Sequence, residues 1–210
     1  MAGFKAHLTG GVMSGAGVSA LALFTRALTL TQAVAIFFVG TVAGLLPDLD
    51  SDTGKPLTLL FQLISVLIPS LLFFKATQFG GNTPEFLICY FIVSYLFLNY
   101  VVCSAIQKLT VHRGMMHSLP FACLCAGLAY LLFMESGKGV ALMSGIAVFA
   151  GCLVHLVLDE LHSFTLKYGF IPTLNKSRGT ALKFKSDSIL TTIVYYSLLI
   201  IVAAAILYTV

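Results

Sequence analysis

Seven long stretches without Asp, Glu, Lys or Arg are the feature that most limits how this chain can fold. Each stretch has 17 to 23 residues, and a helix needs ~20 apolar residues to cross a ~30 Å hydrocarbon core. Their apolar residues are continuous rather than alternating, which favours helices over the strands of a closed barrel. The stretches cover approximately residues 8–25, 28–47, 57–74, 86–107, 118–134, 140–158 and 188–210. The sequence therefore predicts an all-α, polytopic transmembrane helix bundle with about seven spans (six to eight).

Composition excludes a soluble protein. Hydrophobic residues make up 59% of the chain and charged residues only 10%, whereas roughly 25% is usual in soluble domains. We expect a single transmembrane domain over residues 1–210, with membrane lipid as its partner. The basic residues do not form the dense positive face of a nucleic-acid binder. Gly11-x-x-x-Gly15 and Gly40-x-x-x-Gly44 permit close helix contacts within or between subunits, so the oligomeric state stays open.

Basic residues are distributed unequally between the two ends of these spans. Threading seven spans puts nine of them on the side of the N-terminus and three on the other side. Cytoplasmic loops carry such an excess of Lys and Arg. We therefore expect a cytoplasmic N-terminus and location in a bacterial inner membrane.

Histidines and acidic residues gather at that same membrane face. Threading places all five histidines and six of the eight acidic residues there. Carboxylates buried near lipid are costly unless they are paired or coordinated, and a divalent cation is bound well by imidazole and carboxylate together. The candidate ligands are His7, Asp48, Asp50, His112, His117, His155 and Asp159.

The local spacings support this grouping. His155 and Asp159 are four residues apart and share one helix face. Pro47 should end a helix immediately before Asp48. His112 and His117 can face one point only if the chain breaks at Gly114. Each element alone also fits a capped helix end, a solvated turn or an interfacial ion pair, but their joint placement indicates one shared site. Zinc is the expected metal, with manganese or magnesium as alternatives, as one or two ions.

These motifs resemble a known family. The early histidine His7, Gly-Leu-Leu-Pro-Asp-Leu-Asp ending at Asp50, His-Arg-Gly-Met-Met-His-Ser at 112–118 and His-Leu-Val-Leu-Asp at 155–159 are similar to those of the YdjM-like bacterial inner-membrane proteins. The likeness runs from His7 to about Pro172. It implies a LexA-regulated, metal-dependent hydrolase whose metal shell is the seven residues named above. The pattern is more distantly similar to the zinc-dependent phospholipase C group.

The resulting hypothesis is a metallohydrolase at the cytoplasmic interface that acts on a phosphoester of a lipid or other amphiphile. Asp50 is the candidate general base, and Arg113 would stabilise charge on the substrate. Arg178 and Lys183 would attract anionic head groups, although such basic residues can equally serve only to set topology. Two alternatives remain: a divalent-metal transporter, and a structural or regulatory membrane protein with a non-catalytic metal. The role of His162 is left open.

Overall fold

Helices make up most of the chain that the structure, a computed structural model, describes. The described residues are 3–50, 55–105, 115–162, 164–167, 171–174, 184–185 and 188–209. The α-helices, in chain order, are α1 Phe4–Phe24, α2 Leu30–Ala43, α3 Lys55–Leu71, α4 Phe73–Gly80, α5 Pro84–Leu96, α6 Leu119–Leu132, α7 Lys138–Leu161 and α8 Ile189–Thr209. The remaining elements are 3-10 helices at Leu46–Asp50 and Met134–Ser136, a π-helical segment at Phe97–Val102, and the strands β1 Phe164–Lys167 and β2 Ile171–Leu174.

The helices fit a membrane protein, and the predicted fold class is confirmed. Among the described residues, four helices are long and apolar enough to cross a bilayer: α1, α7, α8 and the helix Pro84–Ala105 that α5 begins. A bent pair, Leu60–Leu71 with Phe73–Gly80, would be a fifth. The helices α2 and α6 have 14 residues each, or about 21 Å at 1.5 Å per residue. Their shortness explains why fewer full-length spans are found than the seven expected.

Capping residues set where several helices begin. Thr29 and Gln32 form a reciprocal capping box at the start of α2, which satisfies backbone N–H groups that have no partner within the helix. The hydroxyl of Thr83 accepts a hydrogen bond from the amide of Phe86 at the start of α5, and Ser118 serves α6 in the same way.

The end of α2 differs from the sequence prediction. The α-helix stops at Ala43 with Gly44 as its cap, and a 3-10 helix from Leu46 to Asp50 follows. Proline disfavours the α conformation of the residue before it, so the influence of Pro47 extends upstream into the preceding turn. The result is a tight turn that presents Asp48 beside the end of α2.

The bend between α3 and α4 has a local cause. The two helices meet at an angle of 57°, and Pro69 lies inside the last turn of α3. Proline lacks the N–H that a helix needs and so bends it. The Tyr90 hydroxyl donates a 2.8 Å hydrogen bond to the carbonyl oxygen of Pro69, which ties α5 to the bend.

The chain divides into two compact units. The first comprises Met1–Asp48 and Arg113–Val210, and the second comprises Leu49–His112. In the first unit α1, α2 and α7 pack against one another, α6 packs on α7 and α8 packs on α6. In the second unit α3 packs against α5. The single domain expected from the sequence stays a prediction.

Glycines allow α1, α2 and α7 to pack backbone against backbone. A Cβ atom added to Gly11 would lie 2.5 Å from the carbonyl oxygen of Thr41, and one added to Gly44 would lie 2.6 Å from the Cα atom of Gly11. A Cβ atom on Gly151 of α7 would lie 2.6 Å from the carbonyl oxygen of Gly40. The motifs Gly11-x-x-x-Gly15 and Gly40-x-x-x-Gly44 therefore make contacts within the chain. These contacts hold α1, α2 and α7 close together.

Large apolar side chains cover the outside of the described helices. In α8, Ile200 is 68% exposed and Leu207 77% exposed, and Ile92 of α5 is 54% exposed. In water such a surface would be an unusually large apolar patch, whereas in hydrocarbon it is the expected one.

A short hairpin lies between α7 and α8, outside the seven charge-free stretches of the sequence. The strands are antiparallel, with Thr165 opposite Thr173. Threonine occurs in both four-residue segments, phenylalanine in the first and isoleucine in the second, and all three residue types favour strands. The hairpin is a small addition to an otherwise helical fold.

Candidate metal centre

Five of the seven predicted ligands come together within the first unit. His7 lies on α1, Asp48 on the turn after α2, His117 just before α6, and His155 and Asp159 on α7. His7 is 1% exposed and His155 0% exposed, so the imidazoles lie inside the protein rather than at its surface.

The Asp159 carboxylate lies among three imidazoles. Its Oδ1 atom is 3.3 Å from Nε2 of His7. Its Oδ2 atom is 3.6 Å from Nε2 of His117 and 3.8 Å from Nε2 of His155. The same-face prediction for His155 and Asp159 is confirmed, since both point from α7 into this cluster.

Asp48 approaches the same imidazoles from another direction. Its Oδ1 atom is 3.6 Å from Nε2 of His155 and 3.8 Å from Nε2 of His117. Burial alone would raise the pKa of the Asp48 carboxyl, but the imidazoles of His117, His155 and His7 outweigh it and lower that pKa. Asp48 is therefore ionised at neutral pH, the state that binds cations.

A backbone carbonyl fixes the orientation of His155. The Nδ1 atom of His155 lies 2.7 Å from the carbonyl oxygen of Gly44. A carbonyl oxygen can only accept, so Nδ1 carries the proton and donates it, and Nε2 keeps its lone pair. Metal-binding histidines usually have such a partner on the other ring nitrogen.

His7 stacks on His155. Their ring centroids are 3.6 Å apart and their planes differ by 12°. The stack brings a ring nitrogen of each histidine within 4.8 Å of a carboxylate oxygen of Asp48.

Ser118 positions His117 at the start of α6. The Ser118 hydroxyl accepts a hydrogen bond from the amide of Phe121 at 3.2 Å and donates one to the carbonyl oxygen of Met115. These bonds fix the chain on both sides of His117, which is 2% exposed. A serine without ligand chemistry thus has a structural role beside a candidate ligand.

The cluster fits a divalent cation by spacing and by chemistry. The nitrogen–oxygen distances of 3.3–3.8 Å exceed those of hydrogen bonds, yet two ligands bound tetrahedrally at ~2.1 Å from one zinc ion would be about 3.4 Å apart. Ligating atoms lie within 4.8 Å of one another in two overlapping groups, His7–Asp48–His155 and His117–His155–Asp159.

Buried nitrogen atoms also lack partners. Both ring nitrogens of His7, and Nε2 of His155, are buried without a hydrogen-bond partner in the part of the chain that the structure describes. Leaving such atoms unsatisfied is costly. A cation at the cluster would coordinate one ring nitrogen of His7 and Nε2 of His155, so these residues can hold a metal.

The other predicted site residues lie outside what the structure describes. The Asp50 side chain and all of His112, Arg113, Arg178 and Lys183 belong to this group, and their proposed roles stay predictions. His162 is described: it caps the end of α7, its side chain is exposed and its Nδ1 atom lies 2.9 Å from the carbonyl oxygen of Leu158. It is not one of the cluster's residues.

The main residue that sequence reasoning missed is Gly44. The sequence marked it only as a small residue for helix packing, whereas its carbonyl group orients His155. Its position four residues before Asp48, next to the proline turn, is the signal that could have indicated proximity to the site.

Comparisons with known proteins give a family match. A search among curated proteins and a search among solved structures each return no match. The sequence matches the family described as YdjM inner membrane protein over residues 1–210. With apolar helices and this match over its whole length, the chain belongs to the YdjM inner membrane protein family.

Proposed function

We propose that this protein is a membrane-embedded, metal-dependent hydrolase that acts at the cytoplasmic membrane interface on a phosphoester of a lipid or another amphiphile. The observation that carries the proposal is the cluster of three imidazoles and two carboxylates, contributed by four separate segments. Their nitrogen–oxygen distances of 3.3–3.8 Å suit ligands of one or two cations.

His7, Asp48, His117, His155 and Asp159 would hold the metal, with zinc favoured by the imidazole-rich set. A divalent cation supplies Lewis acidity, which activates water and offsets negative charge on a phosphoester. Gly44 keeps the His155 ring oriented for binding, and Ser118 holds the backbone beside His117.

The two carboxylates differ in their access to solvent. The Asp48 side chain is 18% exposed and that of Asp159 only 5%. Asp48 therefore forms the open edge of the cluster, where substrate would approach, and its carboxylate can accept a proton from water there. Asp50, two residues further on, stays the sequence-based candidate for the general base.

Location at the cytoplasmic face rests on charge distribution. When seven spans are threaded through the sequence, nine of the twelve basic residues fall on the same side as the predicted ligands, and a side rich in basic residues is normally cytoplasmic. A phosphoester carried by a membrane lipid would reach this face without leaving the bilayer, which favours a lipid as the substrate.

A non-catalytic metal is the second candidate. The cluster joins α1, α7, the turn after α2 and the start of α6, so a metal there would pin these elements together. Five candidate ligands are enough to close a coordination shell, whereas catalytic zinc sites keep one position open. Turnover, rather than metal binding, separates the two functions.

The test is metal-dependent hydrolysis in proteoliposomes. Wild type, Asp48→Asn, His155→Ala and the control His162→Ala would be reconstituted with phosphatidylglycerol and phosphatidic acid, stripped with chelator and reloaded with zinc or manganese. Phosphorus-31 NMR would follow the phosphoester. We expect turnover only with metal, retained in His162→Ala and lost in the other two variants.

Two results would count against this function. Metal binding without turnover of any phosphoester by wild type would favour the structural role. Accumulation of zinc inside the vesicles would favour transport.

A further inference from the structure

An open groove runs along α1 on the outer side of its contact with α7. Its volume is about 640 Å³, within the ~300–1,000 Å³ of typical ligand sites. The residues that matter for its chemistry are Lys5, Thr9, Gly10 and Met13 of α1 with Val154 and Leu158 of α7.

Gly10 forms the floor of this groove. A Cβ atom at that position would lie 2.7 Å from Cδ1 of Leu158 and 2.8 Å from Cγ1 of Val154, so the two helices meet there. Lys5, Thr9 and Met13 recur at intervals of four residues, which places them on one face of α1. From Lys5 to Met13 the helix rises about 12 Å, so the groove runs lengthwise into the membrane.

The charged side chain of the groove lies at one of its ends. Lys5 lies in the first turn of a helix long enough to span the bilayer, which puts its ammonium group near the membrane surface. Thr9 directs its hydroxyl to the carbonyl oxygen of Lys5 at 2.8 Å, so that hydroxyl is already satisfied. The rest of the wall is apolar, with Met13 70% exposed. One cation above a hydrocarbon-lined groove complements an anionic lipid.

We propose that this groove binds an anionic phospholipid, with one acyl chain along α1 and the phosphate at the ammonium group of Lys5. The inference deepens the proposed function and rests on it in one respect, namely that the bound lipid is the substrate. Lys5 is two residues from His7, and Leu158 is adjacent to Asp159. The groove and the metal cluster therefore use the same turns of α1 and α7, and the lipid phosphate would lie at the membrane level of the cluster.

Photolabelling of metal-free protein tests binding independently of hydrolysis. Nanodiscs of phosphatidylcholine would contain a trace of phosphatidylglycerol or phosphatidylcholine with a photoreactive acyl chain, and mass spectrometry would locate the labelled residues. Thr9→Trp fills the groove. Leu21→Trp places the same side chain on an exposed site of α1 outside it. Lys5→Ala removes the charge.

We expect the phosphatidylglycerol probe to label residues near Met13 and Leu158 more than the phosphatidylcholine probe does. Thr9→Trp should abolish this labelling and Leu21→Trp should preserve it. Lys5→Ala should reduce the preference for phosphatidylglycerol about fivefold, since one basic residue near an anionic surface contributes ~1 kcal/mol. Labelling that is unchanged in Thr9→Trp, or equal for both head groups in wild type, overturns the proposal. Because no metal is present, either result leaves the hydrolase proposal to its own test.

Discussion

His155 on α7 is anchored by its Nδ1 atom to the carbonyl oxygen of Gly44 at the end of α2, at 2.7 Å and across 111 residues of sequence. The contact exists because Gly44 has no side chain: a Cβ atom there would lie 2.6 Å from the Cα atom of Gly11 and 3.2 Å from the carbonyl oxygen of His7. Helix packing and ligand orientation therefore depend on the same glycine.

Replacing Gly44 should disturb both the packing of the helices and the orientation of His155. Gly44→Ala forces α1 away from α2, and overpacking of this kind costs ~1–3 kcal/mol, so we expect lower thermal stability together with reduced zinc content. Gly17→Ala is the matched control, because a Cβ atom on Gly17 of α1 meets nothing within 4 Å and alanine favours a helix by ~0.5–1 kcal/mol. Thermal unfolding in detergent would measure the stability of each variant, and elemental analysis would measure its zinc content. Equal losses in the two variants would contradict the packing account.

Ser118 should matter for metal binding as well as for stability. Ser118→Ala removes the cap of α6 and Thr83→Ala removes that of α5, and each should cost ~1 kcal/mol. Only Ser118→Ala should also weaken zinc binding, by roughly 10-fold or more, as loss of a group that supports a ligand usually does. Competitive zinc titration of both variants would decide. Similar zinc affinities in the two would show that Ser118 does not position His117.

Zinc affinity should fall as the pH falls. The folded-state pKa of Asp48 is lowered below the unfolded value of about 3.9, so its stabilising contribution is present above that pH and is lost only in stronger acid. Protons also compete with a metal for the lone pairs of the imidazole nitrogens, because only neutral imidazole binds metal. Zinc titrations between pH 8 and pH 5 should therefore show a lower affinity at the acid end of the range. A constant affinity would mean that the histidines are not ligands.

Metal removal should destabilise the wild type selectively. A ligand that binds only the folded state at 100 times its Kd contributes ~2.7 kcal/mol, and the cluster joins four segments of the first unit. We expect chelator to lower the unfolding temperature of wild type and of His162→Ala but not that of His155→Ala. The same shift in all three proteins would point to an effect of chelator elsewhere.

The sequence predicted the helical membrane fold and much of the candidate site, for identifiable reasons. Charge-free stretches of about 20 residues match the thickness of the hydrocarbon core. The four-residue spacing of His155 and Asp159 places both on one helix face. Both signals are local. The early end of α2 was not foreseen, since it depends on how the turn containing Pro47 packs.

Long-range details could not be read from the sequence. The stacking of His7 on His155 joins residues on α1 and α7, and the role of the Gly44 carbonyl depends on how closely α2 approaches α7. The exclusion of His162 from the cluster follows from the end of α7 at Leu161, one residue before it. Such features arise from tertiary packing and leave no periodic pattern in the chain.

The most direct test of the central claim is the metal content of purified protein, measured by inductively coupled plasma mass spectrometry. Wild type should carry one or two equivalents of a divalent metal, with zinc expected. His7→Ala and His155→Ala should lose it, whereas His162→Ala should retain the full content. Equal metal content in all four proteins, or none in wild type after zinc loading, would contradict the account.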